Sequence, residues 1–243
     1  MRTLLDLKKI ELYYQPIVCS KTEDIHMYEG LARLEMYGRM LVPCDFIPIS
    51  KNCNMYNKIT ENVLNQALIS LTLYSDISIS INVSIDDLYC QTTRAKILAL
   101  SKKYPDEVSR LTLEVLETEE NTKPTLYKKA IIELKKANVK IAIDDFGTGF
   151  SNMASLLSVH VDYVKIAGEI ISEIHREKTQ ELVRLLVSYC KKYNIKTIAE
   201  KIETQESATL LRGLGVDYLQ GYHFQRPLPY ISLKDDEKVV SNA

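Results

Sequence analysis

Apolar positions alternate with period two in one set of segments and recur every three or four residues in another, and the two kinds take turns along the chain. Ile77–Ser84 (ISISINVS) alternates strictly and predicts a strand with Asn82 at its end. Further strands are predicted over Ile10–Val18, Met27–Leu34, Arg110–Glu117, Val139–Ile143, Tyr163–Ala167, Ile195–Glu200 and Tyr218–Phe224. Met55, Ile59, Leu64, Leu68 and Leu71 share helical spacing and predict a helix over Met55–Leu73. Helices are also predicted over Ser84–Tyr104, with Asp86 and Asp87 in the first turn, and over Lys123–Ala137. Glu169–Tyr193, broken near Thr179, and Glu206–Leu214 complete the long ones. Ser151 predicts a cap for a short helix carrying Met153, Ala154, Leu156 and Leu157. The stretch holding Pro43 and Pro48 reads as irregular; a C-terminal tail covers 231–243, of which Asp235–Ala243 reads as frayed.

Strand and helix alternate almost throughout, which implies parallel strands joined by helices. About eight strands in a chain of this length favour a TIM-like (β/α)8 barrel over an open sheet. The 243 residues are expected to form one domain, with a core over about 10–230; two smaller domains are the alternative that length allows. At 46% hydrophobic and 26% charged, the composition suits a globular protein with a large core. A net charge of −1 gives no electrostatic case for binding duplex nucleic acid or a membrane surface. No apolar run nears the roughly 18 residues needed to cross a bilayer, and the first apolar run is too short for a signal peptide. The five cysteines are odd in number and irregular in spacing, with no CxxC pair, which fits a reduced, cytoplasmic protein.

The candidate chemistry is carboxylate chemistry. The four histidines show no metal-ligand spacing, so a metal site would be acidic and suited to Mg2+ or Mn2+. In VKIAIDDFGTGFSN, a β-branched strand runs into Asp144 and Asp145, then into a loop with two glycines. A single Asp there is ordinarily an Asx turn closing a strand. Two adjacent like charges are explained more economically by a metal ion between them. Asn82, Glu114, Asp144, Asp145, Glu200 and Gln220 all fall near the carboxyl ends of strands, which in this barrel class form the active-site rim. Each alone reads better as a cap or turn residue; their recurrence on at least five strands does not. With Glu29, about five carboxylates would crowd one mouth, and two divalent cations would balance four of those charges. Arg33 and Lys165 are the only basic residues of these strand segments near the proposed mouth. A lone strand lysine more often snorkels to solvent or pairs structurally, but Lys165 lies between Val164 and Ile166, so it points opposite to them, toward the site.

These residues resemble the EAL family, barrel phosphodiesterases that cleave cyclic di-GMP. YQPIV at Tyr14, EGLAR at Glu29, PCDFIPIS at Pro43, NVS at Asn82 and LEVLE at Leu113 match in order. DDFGTGFSN at Asp144, VKI at Val164, AEKIET at Ala199 and QGYHFQRPLP at Gln220 follow. The resemblance spans about Leu12 to Pro229. It implies that Glu29, Asn82, Glu114 and Asp144 hold one divalent ion, and that Asp144, Asp145 and Glu200 hold a second. It implies that Lys165 positions the attacking water and that Arg33 grips a phosphate. Gln15 and Gln220 would also bind substrate, and Glu203 would complete the rim. Glu117 would anchor the Phe146–Asn152 loop, which couples the site to homodimerisation. The family's first strand runs antiparallel to the rest.

Four positions depart from the family pattern: Gly30 for Ala, Leu116 for Thr, Ala167 for an acid, and Lys201 for Gly. The implied ligand set is complete. The expected function is therefore hydrolysis of cyclic di-GMP to 5′-pGpG with two Mg2+ or Mn2+ ions. The alternatives are a binding module of the same fold that senses cyclic di-GMP or docks on a protein, and another phosphoester substrate. No attached sensory or cyclase segment is visible in the sequence, and a regulatory protein partner cannot be read from it.

Overall fold

The computed structural model describes residues 9–52, 55–116, 123–148, 156, 157 and 159–231. Among the described residues nine strands form one sheet: β1 (Ile10–Cys19), β2 (Ile25–Met36), β3 (Arg39–Leu41), β4 (Ile79–Val83), β5 (Leu111–Leu116), β6 (Lys140–Phe146), β7 (Tyr163–Ile166), β8 (Lys196–Ala199) and β9 (Tyr218–Leu219). The sheet closes in the order β1-β9-β8-β7-β6-β5-β4-β2 and back to β1, while β3 is a flap on β2. This is the TIM-like barrel of the sequence analysis. β1 runs antiparallel to both β2 and β9, and the pairs from β2 through β9 around the wall are parallel. Tyr37 and Gly38, both at positive φ, make the tight turn from β2 into β3, a hairpin the sequence analysis did not include.

The helices are α1 (Pro43–Asn52), α2 (Tyr56–Leu73), α3 (Ile85–Tyr89), α4 (Gln91–Lys103), α5 (Pro105–Ser109), α6 (Pro124–Lys136), α7 (Gly168–Ser172), α8 (Glu177–Lys192) and α9 (Gln205–Leu214). Helix α1 replaces the expected irregular stretch. Pro43 occupies its first position, where a missing N–H costs nothing, and buried Phe46 anchors it to the core although Pro48 lies inside. The single helix expected over Ser84–Tyr104 is two, because Cys90 is extended and ends α3. Ser84 and Asp87 form a capping box that starts α3, and Asp87 also accepts from Thr60 Oγ1 at 2.9 Å. The break expected near Thr179 comes earlier, between Ser172 and Glu177. β9 is two residues long, so the strand expected to Phe224 stops before Gln220. The helix expected after Ser151 lies mostly outside the described residues.

Inside the barrel, side chains two residues apart on one strand share a face. Ile17, Met27, Ala142, Tyr163 and Ile198 pack together as an apolar floor. Each stands two residues from a candidate site residue: Gln15, Glu29, Asp144, Lys165 and Glu200. On the parallel strands the floor residue precedes its site residue; on β1 it follows, because β1 runs the other way.

The floor ends in a bulge. Ile17 pairs with Met27 but Val18 pairs with Ile25, so His26 is an extra residue in β2. Its ring stacks on Tyr218 at 3.9 Å, and its Nε2 lies 3.1 Å from the Tyr163 hydroxyl. Burial, aided by the Lys140 and Lys196 charges, lowers its pKa from 6.5 to about 4. Between these values the unfolded chain binds a proton that the folded chain refuses, so His26 withdraws stability as pH falls from 6.5 to 4. Allowing for partial exposure, the loss is about 2 kcal/mol. His26→Phe keeps the stack and removes the titration. Urea unfolding of metal-free protein at pH 7 and pH 4.5 is expected to show a smaller acid loss in the variant; equal losses would contradict this role.

Candidate active site

Strand alternation brings Gln15, Glu29, Asn82, Glu114, Asp144, Lys165, Glu200 and Gln220 to one end of the barrel. At their centre is Lys165, 1% exposed. Its Nζ lies 2.7 Å from Glu114 Oε2, 2.7 Å from Glu200 Oε1, 3.2 Å from Asp144 Oδ1 and 3.4 Å from Glu29 Oε2. Four strands therefore present a carboxylate to one ammonium. Asn82 Nδ2 donates to Glu29 Oε1 at 2.8 Å, and Gln220 Nε2 donates to Glu29 Oε2 at 2.6 Å and to Gln15 Oε1 at 3.3 Å. Gln15 in turn donates to the Gln225 carbonyl. Gly221 lets Gln220 sit this deep: a methyl there would overlap the Ile202 backbone.

The paired acids are placed by a second bulge. β6 does not stop before them; it runs through both to Phe146. Ile143 pairs with Val164 and Phe146 with Ile166, so Asp144 and Asp145 together stand against Lys165. Asp145 takes up the extra length at φ 52°, a left-handed conformation that Asp tolerates better than most residues. In a regular strand the two side chains would face opposite ways. Here one oxygen from each of Asp144, Asp145 and Glu200 falls within 4.8 Å of the others.

Electrostatically this arrangement is incomplete. Burial pushes the Glu114 carboxyl well above its usual range, and the Glu29 charge adds to that despite Lys165. Burial pushes Glu200 up to about 7 against the pull of Lys165, with Asp144 and Glu29 adding. Asp145 is also raised, by burial and then by Asp144. Glu29 goes the other way: burial would raise it, but Lys165 and the amides of Gln220 and Asn82 together hold it below the usual range. Burial would lower the Lys165 pKa, but the four carboxylates carry it well above normal. If all five ionised, the carboxylates would carry four more negative charges than the buried ammonium balances, and the raised pKa values of Glu114, Glu200 and Asp145 express that excess. Among the described residues, nothing donates a hydrogen bond to buried Glu114 Oε1 or Gln220 Oε1. Carboxylate oxygens from four strands, an amide beside them and an excess of negative charge fit a hard divalent cation.

Other expected site residues stand apart from this cluster. Arg33 Nη1 donates to the Ala32 carbonyl at 3.0 Å, and its guanidinium lies 5.6 Å over the Tyr13 ring. Glu203 is exposed, three residues beyond Glu200. Glu117 and most of the 146–152 loop lie outside the described residues. Gly30 sits in the wall, where an added methyl would touch Ile81, Leu12 and Ser80 at 3.4 Å, so the missing Ala methyl leaves little space. Ala167 is fully buried and Lys201 pairs with Glu169 at 3.0 Å, a contact the sequence analysis did not anticipate.

Comparison with known proteins places this geometry among relatives. The chain is 32% identical over 236 residues to the probable cyclic di-GMP phosphodiesterase PdeA of Escherichia coli K12, covering 94% of this chain and 32% of that protein. It is 30% identical over 238 residues to the cyclic di-GMP phosphodiesterase PdeB of Shewanella oneidensis MR-1, covering 94% of this chain and 28% of that protein. The chain thus spans about a third of these relatives. Among solved structures, the EAL domain protein from Listeria monocytogenes EGD-e superposes with a TM-score of 0.85 at 32% identity, covering 97% of this chain and 94% of that one. The c-di-GMP complex of the PaMucR phosphodiesterase gives 0.84 at 28% identity, covering 94% and 95%. The EAL domain family model matches residues 1–227, and the chain belongs to the EAL domain family.

Proposed function

We propose that the chain hydrolyses cyclic di-GMP to 5′-pGpG at the carboxyl end of the barrel, with two Mg2+ or Mn2+ ions. The observation that carries this reading is the convergence of Glu29, Glu114, Asp144 and Glu200 on one buried ammonium, with Asp145 beside them. Glu29, Asn82, Glu114 and Asp144 would hold one cation; Asp144, Asp145 and Glu200 would hold the other, with Asp144 shared. Asn82 already spends its amide N–H on Glu29, which leaves its carbonyl oxygen to ligate. When bound, such a pair supplies acidified water and neutralises charge on the phosphoryl oxygens.

The protein's own groups do the rest. Lys165 keeps its proton, and its N–H donors orient the attacking water against one phosphodiester. The 3′ oxygen leaves and the linear dinucleotide forms. The Gln15–Gln220 pair borders the site with amide groups suited to a nucleotide edge or phosphate. Arg33 would grip a phosphate, Glu203 would complete the rim, and Glu117 would anchor the loop after Asp145. We also infer a homodimer, on the resemblance of that loop to the family's coupling element.

The test is product analysis. Purified protein with cyclic di-GMP and Mg2+ or Mn2+ is expected to yield pGpG, and a chelator is expected to stop it. Binding of cyclic di-GMP with no product in either metal would replace this reading with that of a binding module.

A further inference from the structure

Lys201 is held in place at a cost. It follows Glu200 directly and sits at φ 52°, a conformation that strains a residue with a side chain. Its stem lies across Gly168 so closely that a methyl on Gly168 would overlap its Cγ, Cδ and Cε. Its Nζ lies 3.0 Å from Glu169 Oε1, and both side chains are 61% exposed. The pair joins the loop after β8 to the start of α7, the segment after β7. The start of α7 also lies against the end of β6: the Ala167 N–H donates to the Phe146 carbonyl at 3.2 Å, and Ile170 Cδ1 fills the place a methyl on Gly147 would take, two residues past Asp145.

We propose that Lys201 and Glu169 form a charge balance that sets how tightly a divalent cation binds at Asp145 and Glu200, Lys201 opposing the cation and Glu169 offsetting Lys201. The inference rests on reading Asp144, Asp145 and Glu200 as a cation site. The ammonium adds a fixed positive charge on the residue next to Glu200. Glu169 cancels part of that charge, and Gly168 gives the lysine stem its bed. Both residues act as positioning and tuning groups and neither is a ligand. The pair is exposed, so its influence is moderate and falls with salt.

Calorimetric titration of the chelator-stripped full chain with Mn2+ reads this directly. Lys201→Gln keeps the backbone strain and most of the stem but removes the charge; it is expected to tighten Mn2+ binding roughly 3- to 10-fold, the size of a partly screened unit charge. Glu169→Gln leaves Lys201 uncancelled and is expected to weaken binding by a similar factor. The double variant is expected to return near wild type, and Lys201→Arg to behave as wild type. Raised ionic strength should shrink both single effects, and Asp145→Asn should abolish most of each. A purely structural strap would move both single variants the same way, and that result overturns the proposal. So does Mn2+ binding that neither variant changes. If wild type shows no saturable Mn2+ binding, or Asp145→Asn binds as tightly as wild type, the underlying cation site is wrong and the charge balance falls with it.

Discussion

Lys165→Met is expected to lower the melting temperature of metal-free protein by about 10 °C. The ammonium is the countercharge for four buried carboxylates, and removing one member of such a buried assembly costs about 3–5 kcal/mol. In a domain of this size each kcal/mol moves the midpoint by about 2–4 °C. The deficit should depend on pH. Without Lys165 the Glu114 and Glu200 carboxyls are held further above their unfolded values, so the variant is most stable where they are protonated and loses stability as pH rises through the raised pKa values. Glu200, already pushed up to about 7 with Lys165 pulling it down, puts that window at neutral pH and above. The gap between variant and wild type should therefore be wider at pH 8 than at pH 6. Saturating Mn2+ is expected to recover most of the lost stability, because it supplies the missing positive charge. Turnover should not recover: loss of one positioned proton-bearing group costs roughly 10²-fold or more even in the metal-loaded protein. A metal-free variant that melts with wild type at both pH values would show that Lys165 is not the countercharge.

The barrel was legible because its two periods are carried by side chains. ISISINVS and YVKIA alternate visibly, and the helices between them bury regular stripes such as Ile59, Val63, Ala67 and Leu71. Lys165 between Val164 and Ile166 gave its own direction. What the pattern could not carry was anything set by chain direction or by a register shift. Antiparallel β1 alternates like a parallel strand, and that orientation came from family resemblance alone. Neither bulge leaves a period of its own, so the sequence suggested that β6 ends before Asp144. The adjacent acids were the available sign of it, since both can face one site only if a residue is inserted. Pro43 and Pro48 read as breakers because proline statistics are local, whereas burial of Phe46 is not. The Lys201–Glu169 pair joins residues 32 apart, and only the fold brings them together.

Asp144→Asn is expected to separate stability from function in the opposite sense to Lys165→Met. Asp144 faces Lys165 at 3.2 Å, yet its charge also helps raise Glu114, Asp145 and Glu200 beyond what burial does alone. Removing that charge leaves Lys165 with three carboxylates and relieves repulsion on the rest. Metal-free Asp144→Asn should therefore melt at or slightly above wild type, whereas an ordinary buried ion-pair deletion melts well below it. Mn2+ at about a hundredfold its dissociation constant should stabilise wild type by about 2.7 kcal/mol, a rise of roughly 5–10 °C. The variant should gain much less, because the carboxylate that would serve both proposed cations becomes a neutral amide, and turnover should fall by roughly 10²-fold or more. Calcium should stabilise wild type as well but support poorer turnover, since its longer, looser coordination holds the reacting oxygens less well. A metal-free variant at least as stable as wild type would leave metal binding as the reason for the acid, and an equal metal-induced shift in wild type and variant would remove Asp144 from that role.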